Sequence, residues 1–285
     1  MPASSLATSV PEIAPSDESA HAPRSWLFAP GHDEKLLIKV FDAGADVVLL
    51  DLEDAVPPHL KDRARTLVAQ VAAERACWVR VNRPLTDECQ RDLATLADVA
   101  KGLRLPKVDA ASDVDWVAQR APGVPLDCTI ESARGLLAAF DIASHPACVS
   151  IAYGGLDFAT DLSIPGGEQE TLFARSFLVV ASRAAGKPAP SDGVHALIDD
   201  DDGLRSEAEA ARRLGFFGKS AIHPRQVPII NEVFTTSPAE VAWAERVLAA
   251  FEASGGAATK LPDGEFVDRA VAERARQVLR GRGRG

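Results

Sequence analysis

Short apolar runs alternate with longer amphipathic stretches along most of this chain, and that alternation limits the folds it can adopt. Eight runs of six or seven residues occur at 25–30, 46–51, 77–82, 103–108, 126–131, 148–154, 192–197 and 216–222, with helix-like segments between them. Strict alternation of strands and helices requires a parallel sheet with right-handed crossovers. Eight such units in about 210 residues predict a closed (β/α)8 TIM barrel, which we assign to residues 23–236.

Two regions flank the predicted barrel. Residues 1–22 are rich in Ala, Ser and Pro and lack the basic start and apolar core of a secretory signal, so we expect a disordered tail. Helical patterns near 238–254 and 266–280 enclose a linker or hairpin-like segment and predict a C-terminal helical extension over 237–285. This extension either caps the barrel or contacts a neighbouring subunit. An open doubly wound sheet is the alternative fold, but no GxGxxG motif follows the first apolar run.

Composition excludes several functional classes. The net charge of −10 and the pI near 5.1 argue against a broad nucleic acid-binding surface. No apolar run is long enough to cross a bilayer. The four cysteines have no CxxC spacing and lie in or beside apolar runs, so we expect buried, reduced thiols and a cytoplasmic protein.

Carboxylates follow several of the predicted strands, and in barrels the carboxyl ends of the strands build the functional site. The second run ends in Asp51, Glu53 and Asp54, the fifth ends in Glu131, and the sixth leads to Asp157. Like charges at this density need a counter-charge, which Mg²⁺ supplies because it binds carboxylate, water and substrate oxygens. Glu131 and Asp157 are the predicted ligands because they follow consecutive strands. The alternative is that Glu131 caps its helix or pairs near it and that Asp157 caps a turn.

Basic residues near the predicted site allow two interpretations each. Arg80 lies within an apolar strand, where it either forms a structural ion pair or binds a substrate carboxylate bidentately. Two i,i+4 pairs share helix faces near the barrel mouth, namely Lys35 with Lys39 and Lys61 with Arg65. These pairs either bind phosphates or are ordinary solvated side chains. Gly155 lies in a glycine turn whose backbone N–H groups can approach an anion.

The motifs at these positions, taken together, resemble the citrate lyase beta-subunit-like branch of the HpcH/HpaI aldolase superfamily. The matching segments, in family order, are RSWLFAPGHDEKLLIK, VLLDLEDAVPPHLKDRAR, VRVN, LPKV, IESARGL, YGGLDF, LGFFGKSAIHPRQV and GEFVDRAVAERARQVL. The resemblance implies a (β/α)8 barrel, usually a homotrimer, with Mg²⁺ at the barrel mouth. Acyl-CoA and 2-oxo acid small molecules are the implied partners, and no nucleic acid or membrane is expected.

Residue roles near the metal follow from the same resemblance. Glu131 of the E-[ST]-A-x-G pattern and Asp157 of the G-x-x-D-F pattern would bind Mg²⁺. Arg80 of VRVN would bind the oxo-acid carboxylate, with Gly155 and Leu156 as further substrate-binding positions.

The remaining implied roles concern coenzyme A and proton transfer. Positions that contact CoA in the family correspond here to Phe28, Lys35, Lys39, Lys61 and Arg65. Asp268 of VDRAV matches an aspartate that reaches a neighbouring subunit's site in some members, and it is the candidate for proton transfer. Glu53 and Asp54 would hold metal-bound waters or orient Arg80. Phe28 stands where some relatives have tyrosine, and Ala270 replaces a common proline.

The function implied is Mg²⁺-dependent retro-Claisen cleavage of a 3-hydroxyacyl-CoA to a 2-oxo acid and an acyl-CoA. Malyl-, citramalyl- and citryl-CoA are the kinds of substrate expected. Three alternatives remain open from the sequence. The first is the beta subunit of a citrate lyase complex that acts on a carrier-bound citryl thioester. The second is a malyl-CoA-type thioesterase, and the third is a binding protein that retains the barrel.

Overall fold

The computed structural model describes residues 23–281, so the tail predicted over residues 1–22 lies outside the described part of the chain. Seven strands form one parallel sheet: β1 Ser25–Pro30, β2 Val47–Asp51, β3 Trp78–Arg80, β4 Gly102–Leu105, β5 Leu126–Ile130, β6 Cys148–Tyr153 and β7 Lys219–Ala221. Their order across the sheet is β6-β5-β4-β3-β2-β1-β7. Six of the eight predicted runs thus become strands close to their predicted bounds, and the last becomes the short strand β7.

The seventh predicted strand, over residues 192–197, is wrong. Only isolated parallel bridges occur there, joining Ser191 to Ala152 on β6 and Asp192 to Lys219 on β7. Pro190 has no N–H group to donate, and the chain leaves the sheet at Gly193. These two bridged residues lie between the edge strands β6 and β7, so the sheet curls round until its edges face each other.

Helices connect the strands on the outside of the curled sheet. They are α1 Glu34–Lys39, α2 Lys61–Glu74, α3 Asp87–Leu96, α4 Ala111–Ala118, α5 Ala133–Leu137, α6 Ala139–Ser144, α7 Gly155–Leu162, α8 Glu168–Ala184, α9 Asp201–Leu214 and α10 Gln226–Phe234. Strand residues such as Leu49, Val79 and Leu103 are fully buried because helices cover one face and the curled interior covers the other. No helix within residues 23–281 has the length and apolarity that crossing a membrane requires.

The C-terminal extension has a small apolar core of its own. It comprises α11 Pro238–Ala253, the antiparallel pair β8 Thr259–Lys260 and β9 Phe266–Val267, and α12 Arg269–Arg280. Val247 on α11, Val267 on β9 and Ala275 on α12 pack in one cluster separate from the main core. The two helices lie close to the helical patterns at 238–254 and 266–280, and a short antiparallel hairpin lies between them.

A buried ionic group spans the interior of the curled sheet. Arg104 on β4 donates to Asp127 on β5 at 2.6 Å, and both side chains are almost completely buried. The same guanidinium donates to Ser220 on β7 at 3.1 Å and to Ser191 at 3.3 Å. It also lies over the Trp26 ring at 4.3 Å. One side chain therefore connects β4 to the region where the predicted seventh strand is missing.

Removing the Asp127 carboxylate should destabilise the protein strongly. Asp127→Ala leaves the Arg104 charge buried without its partner, which typically costs about 3–5 kcal/mol. Urea unfolding followed by circular dichroism measures the change. The control is Glu232→Gln, which breaks the exposed pair between Glu232 and Arg205 and should leave the midpoint nearly unchanged. Equal midpoints for Asp127→Ala and the control would contradict this account.

Candidate active site

One cavity at the carboxyl ends of the strands gathers most of the predicted site residues. It has a volume of about 260 Å³, and the predicted residues lining it are Phe28, Asp54, Arg80, Glu131, Gly155, Leu156 and Asp157. They come together because β1, β2, β3, β5 and β6 are parallel and end on the same side of the sheet. The other predicted residues lie behind this cavity, on neighbouring helices, or in the extension.

Arg80 is fixed by carboxylates that follow the neighbouring strand. β2 and β3 pair so that Asp51 lies beside Arg80, and Asp51 accepts from Arg80 Nε and Nη2 at 2.7 Å each. Arg80 Nη1 lies 3.0 Å from Glu53 Oε2. Burial favours a neutral Asp51, but Arg80 and two backbone N–H groups outweigh it and hold the pKa of Asp51 below its usual value. Arg80 is therefore permanently charged and rigidly oriented beside the cavity.

Lys107 is a site residue to which the sequence analysis assigned no role. Its backbone has φ of 52°, in the left-handed region that non-glycine residues seldom adopt. In that conformation its N–H donates to Glu131 Oε1, while its ammonium pairs with Glu53 and, at 3.0 Å, with Asp54. Nearby carboxylates outweigh burial and raise the pKa of Lys107. The sequence signals for Lys107 were its position after β4 and the LPKV segment that contains it.

Glu131 is held at the cavity wall by close packing. Gly154, before α7, has no Cβ, and a Cβ there would collide with the Glu131 carboxylate. Burial, together with the charges of Glu53 and Asp157, raises the pKa of Glu131 to about 8. Ser132 caps α5 through its hydroxyl, so the alternative role of Glu131 as a helix cap is wrong. The Glu131 carboxylate lines the cavity, and the nearby positive charge of Lys107 does not offset its burial and the repulsion from the other acids.

A divalent cation fits this pair of acids. Asp157 lies in the first turn of α7, three residues after Gly154, so its carboxylate and that of Glu131 line the same cavity. A hard cation bound by both would offset the burial and the carboxylate repulsion that together raise the Glu131 pKa. Within residues 23–281, no three His, Cys, Asp or Glu side chains are arranged to hold a metal. Two protein carboxylates would thus leave most coordination positions to water or substrate, as is usual for Mg²⁺.

The predicted phosphate-binding residues divide into two groups. Lys35 and Lys39 lie exposed on α1. Lys61 Nζ donates to the backbone oxygens of Leu52 and Glu53 at 2.5 and 2.6 Å, so it supports the loop that carries the acids.

Arg65 is buried in an ion-pair network at α2. Its guanidinium pairs with Asp92, Glu88 and Asp62 at 2.6–2.8 Å. Burial opposes its charge, but Asp92 and the other carboxylates raise the pKa of Arg65 overall. This guanidinium already has three carboxylate partners inside the chain.

Asp268 lies at the start of α12 in the C-terminal extension. Its carboxylate accepts from Val271 N at 3.0 Å and caps the helix. Asp268 does not line the candidate cavity of its own chain within the described residues. A role for Asp268 in proton transfer therefore requires another subunit to bring it there.

Comparison with known proteins places this arrangement in a family. A sequence profile of the HpcH/HpaI aldolase/citrate lyase family matches residues 24–224. A (3S)-malyl-CoA thioesterase from Cereibacter sphaeroides is 38% identical over 91% of this chain and 94% of its own length. An L-malyl-CoA/beta-methylmalyl-CoA lyase from the same species is 34% identical over 90% and 93%.

A solved structure agrees with this assignment. The protein CitE from Mycobacterium tuberculosis, crystallised with magnesium, acetoacetate and coenzyme A, superposes with a TM-score of 0.81 and 33% identity. The superposition covers 93% of this chain and 99% of that protein. The chain belongs to the HpcH/HpaI aldolase/citrate lyase family.

Proposed function

We propose that this chain is a Mg²⁺-dependent carbon–carbon lyase that cleaves a 3-hydroxyacyl-CoA to a 2-oxo acid and an acyl-CoA. The observation that carries the proposal is that Glu131, Asp157 and Arg80 line the same cavity. Two acids can hold the cation, and a fixed guanidinium can bind a substrate carboxylate. CitE with bound magnesium, acetoacetate and coenzyme A supports the same combination.

The residues of the cavity divide the work of a retro-Claisen reaction. Arg80, oriented by Asp51, binds the carboxylate of the oxo-acid fragment and offsets its negative charge as the C–C bond breaks. The N–H groups of Gly155 and Leu156, at the start of α7, bind the same fragment. Glu131 and Asp157 would hold Mg²⁺, which would supply Lewis-acid stabilisation of negative charge on a substrate oxygen.

Residues around the cavity have two further roles, which are to orient Arg80 and to transfer a proton. Glu53 and Asp54, paired with Lys107, orient Arg80 and accept hydrogen bonds from water at the cavity. Asp268 of a neighbouring subunit transfers a proton at the carbon that becomes the methyl or methylene group of the acyl-CoA product. As the C–C bond breaks, the O–H electron pair forms the carbonyl and the hydroxyl proton passes to water at the cavity. The C–C electron pair forms the thioester enolate, which Asp268 protonates, so no proton is gained or lost overall.

One experiment decides the reaction class. The purified protein is incubated with Mg²⁺ and malyl-, citramalyl- or citryl-CoA, and the 2-oxo acid, the acyl-CoA and free CoA are quantified separately. A lyase produces a 2-oxo acid and an acyl-CoA in equal amounts. Release of free CoA without a 2-oxo acid would show that the protein is a thioesterase and would contradict the lyase proposal.

The thioesterase is the second candidate because relatives at 37–38% identity are malyl-CoA thioesterases. Hydrolysis of the thioester needs the same metal and carboxylate contacts but also an attacking water. A third candidate is a subunit that cleaves a carrier-bound citryl thioester, since a citrate lyase beta subunit from Leuconostoc mesenteroides is 33% identical. Activity on citryl attached to an acyl carrier protein, but not on citryl-CoA, would favour it.

We also propose the finer features of the assembly. The fold is a (β/α)8 barrel in which the seventh strand is reduced to Ser191 and Asp192. The bridges of these two residues to β6 and β7 support this interpretation. The protein forms a homotrimer, supported by the separate core of the C-terminal extension and by the position of Asp268. It acts in the cytoplasm, which the four buried free cysteines support.

Charge reversal on α1 should weaken coenzyme A binding. In the proposal, Lys35 and Lys39 contact CoA phosphates, so the double variant Lys35→Glu/Lys39→Glu should raise the Kd of CoA by about 10-fold at low salt. Isothermal titration calorimetry at two salt concentrations measures it. Lys101→Glu is the control, because Lys101 is exposed at the amino end of β4, opposite the site. Unchanged affinity in the double variant would exclude these two contacts and leave the reaction class untouched.

A further inference from the structure

A second cavity lies beside the candidate active site. Its volume is about 510 Å³, and it is bounded by the connection between α7 and α8 and by residues 192–197, the segment predicted as the seventh strand. Tyr153, Gly155 and Gly193 line both cavities. The two cavities therefore adjoin each other at these shared residues.

The buried charges of the second cavity do not balance. Lys219 Nζ lies 2.8 Å from Asp192, and Arg175 Nη2 lies 3.3 Å from the same carboxylate oxygen. All three side chains are at most 6% exposed. Glu207 lies 3.3 Å from Lys219 but is 39% exposed, and Glu168 lies exposed at the rim. Lys219 thus pairs with Asp192 and with the partly exposed Glu207, whereas Arg175 pairs with Asp192 alone within residues 23–281.

Two buried hydrogen-bond donors in this cavity are incompletely paired. Arg175 Nε has no hydrogen bond within residues 23–281, and Tyr153 Oη has only the nearby Thr171 hydroxyl; both residues line the cavity. Arg175 Nε can only donate. Burial raises the pKa of Tyr153 to about 12, so its phenol remains protonated and donates as well. A buried donor without an acceptor is costly, and the buried cations Arg175 and Lys219 favour an anionic acceptor beside them.

We propose that the second cavity binds a carboxylate group, which accepts hydrogen bonds from Tyr153 and Arg175 and is attracted by Lys219. The carboxylate has two possible sources. It is either an additional carboxylate of the acyl substrate that extends past Tyr153, a case that rests on the proposed function, or it belongs to a free small carboxylic acid that binds independently.

Direct binding tests the cavity without reference to catalysis. Succinate is titrated into the metal-free full-length protein and into three variants by isothermal titration calorimetry. Tyr153→Phe should raise the Kd about 10-fold, because it removes one hydrogen bond to a charged group. Glu207→Gln should lower the Kd about 3-fold, because it removes a rim acid and keeps an acceptor for His195. Glu209→Gln, on the same helix but outside this cavity, makes the same change in net charge and should have no effect.

A kinetic comparison identifies the source of the carboxylate. Citryl-CoA differs from citramalyl-CoA by one carboxylate on the branch carbon, so the ratio of their kcat/KM values isolates that group. If the carboxylate belongs to the substrate, Tyr153→Phe lowers the citryl-to-citramalyl ratio about 10-fold. If the carboxylate belongs to a free acid, the ratio of kcat/KM values is unchanged, and the variants change the Kd of succinate as stated above.

If no variant changes the Kd of succinate and Tyr153→Phe does not change the ratio of kcat/KM values, the proposed carboxylate site is wrong. If neither thioester is cleaved, the proposed function fails and the succinate titration alone decides the site.

Discussion

Replacing Glu131 by glutamine should abolish Mg²⁺-dependent thioester cleavage and at the same time make the metal-free protein more stable. Glutamine has nearly the same shape and still accepts the N–H of Lys107, but it carries no charge to bind the cation. Removing electrostatic stabilisation of this kind typically costs about 10²–10³ in kcat, and losing a metal ligand should cost at least that much. Production of the 2-oxo acid at saturating substrate measures the loss.

The stability gain follows from the pKa of Glu131. The pKa rises from 4.5 in the unfolded chain to about 8 in the folded one. Below pH 4.5 the carboxyl is protonated in both states, so it imposes no penalty on folding. Between these values only the folded protein keeps the proton, so its stability falls as pH rises, and the penalty is complete above pH 8.

Unfolding at two pH values tests this account. A full shift of this size converts to roughly 5 kcal/mol, and we expect Glu131→Gln to recover about 2 kcal/mol at pH 9 and little at pH 4. Adding Mg²⁺ should raise the Tm of the wild type and leave that of the variant unchanged. Glu74→Gln, at an exposed position on α2, is the control and should change neither result. A variant that loses activity but still gains stability from Mg²⁺ would place the metal elsewhere.

The position of the acids was predictable because it depends on local pattern and on a general property of parallel sheets. The second and fifth apolar runs end in Asp51 and Glu131, and the sixth leads to Asp157. The carboxyl ends of parallel strands meet on one side of the sheet. The seventh strand was not predictable in the same way, since Val194 and Leu197 look like strand residues in isolation. Their side chains instead line the second cavity, because pairing with β6 and β7 ends at Asp192.

The spacing of basic residues along a helix does not predict which residues they pair with. An i,i+4 spacing correctly puts Lys61 and Arg65 on one helix, but their partners come from elsewhere in the chain. Asp92 and Glu88, which bind Arg65, are 27 and 23 residues away in sequence. For Arg80 the two interpretations are compatible, since an ion pair with Asp51 holds the guanidinium at the cavity that is proposed to bind substrate.

Two inactive variants should restore activity to each other if Asp268 acts in a neighbouring subunit. Asp268→Asn removes the proton-transfer group but preserves the start of α12, because asparagine also caps helices. Loss of a general acid or base typically lowers kcat about 10²–10⁴-fold. Glu131→Gln is inactive for a different reason, and its Asp268 is intact. A site built from the Glu131 of one subunit and the Asp268 of another would therefore be complete in a mixed oligomer.

The expected yield of active sites follows from the symmetry of a trimer. In a cyclic trimer that contains both variants, only one of the three interfaces joins an intact Glu131 to an intact Asp268 in the required direction. Co-expression with two affinity tags and purification through both should give about one third of wild-type activity. Oligomers of either variant alone provide the control and should remain inactive. Mixed trimers without activity would show that Asp268 does not complete a neighbouring site, and normal turnover by Asp268→Asn would remove it from the reaction.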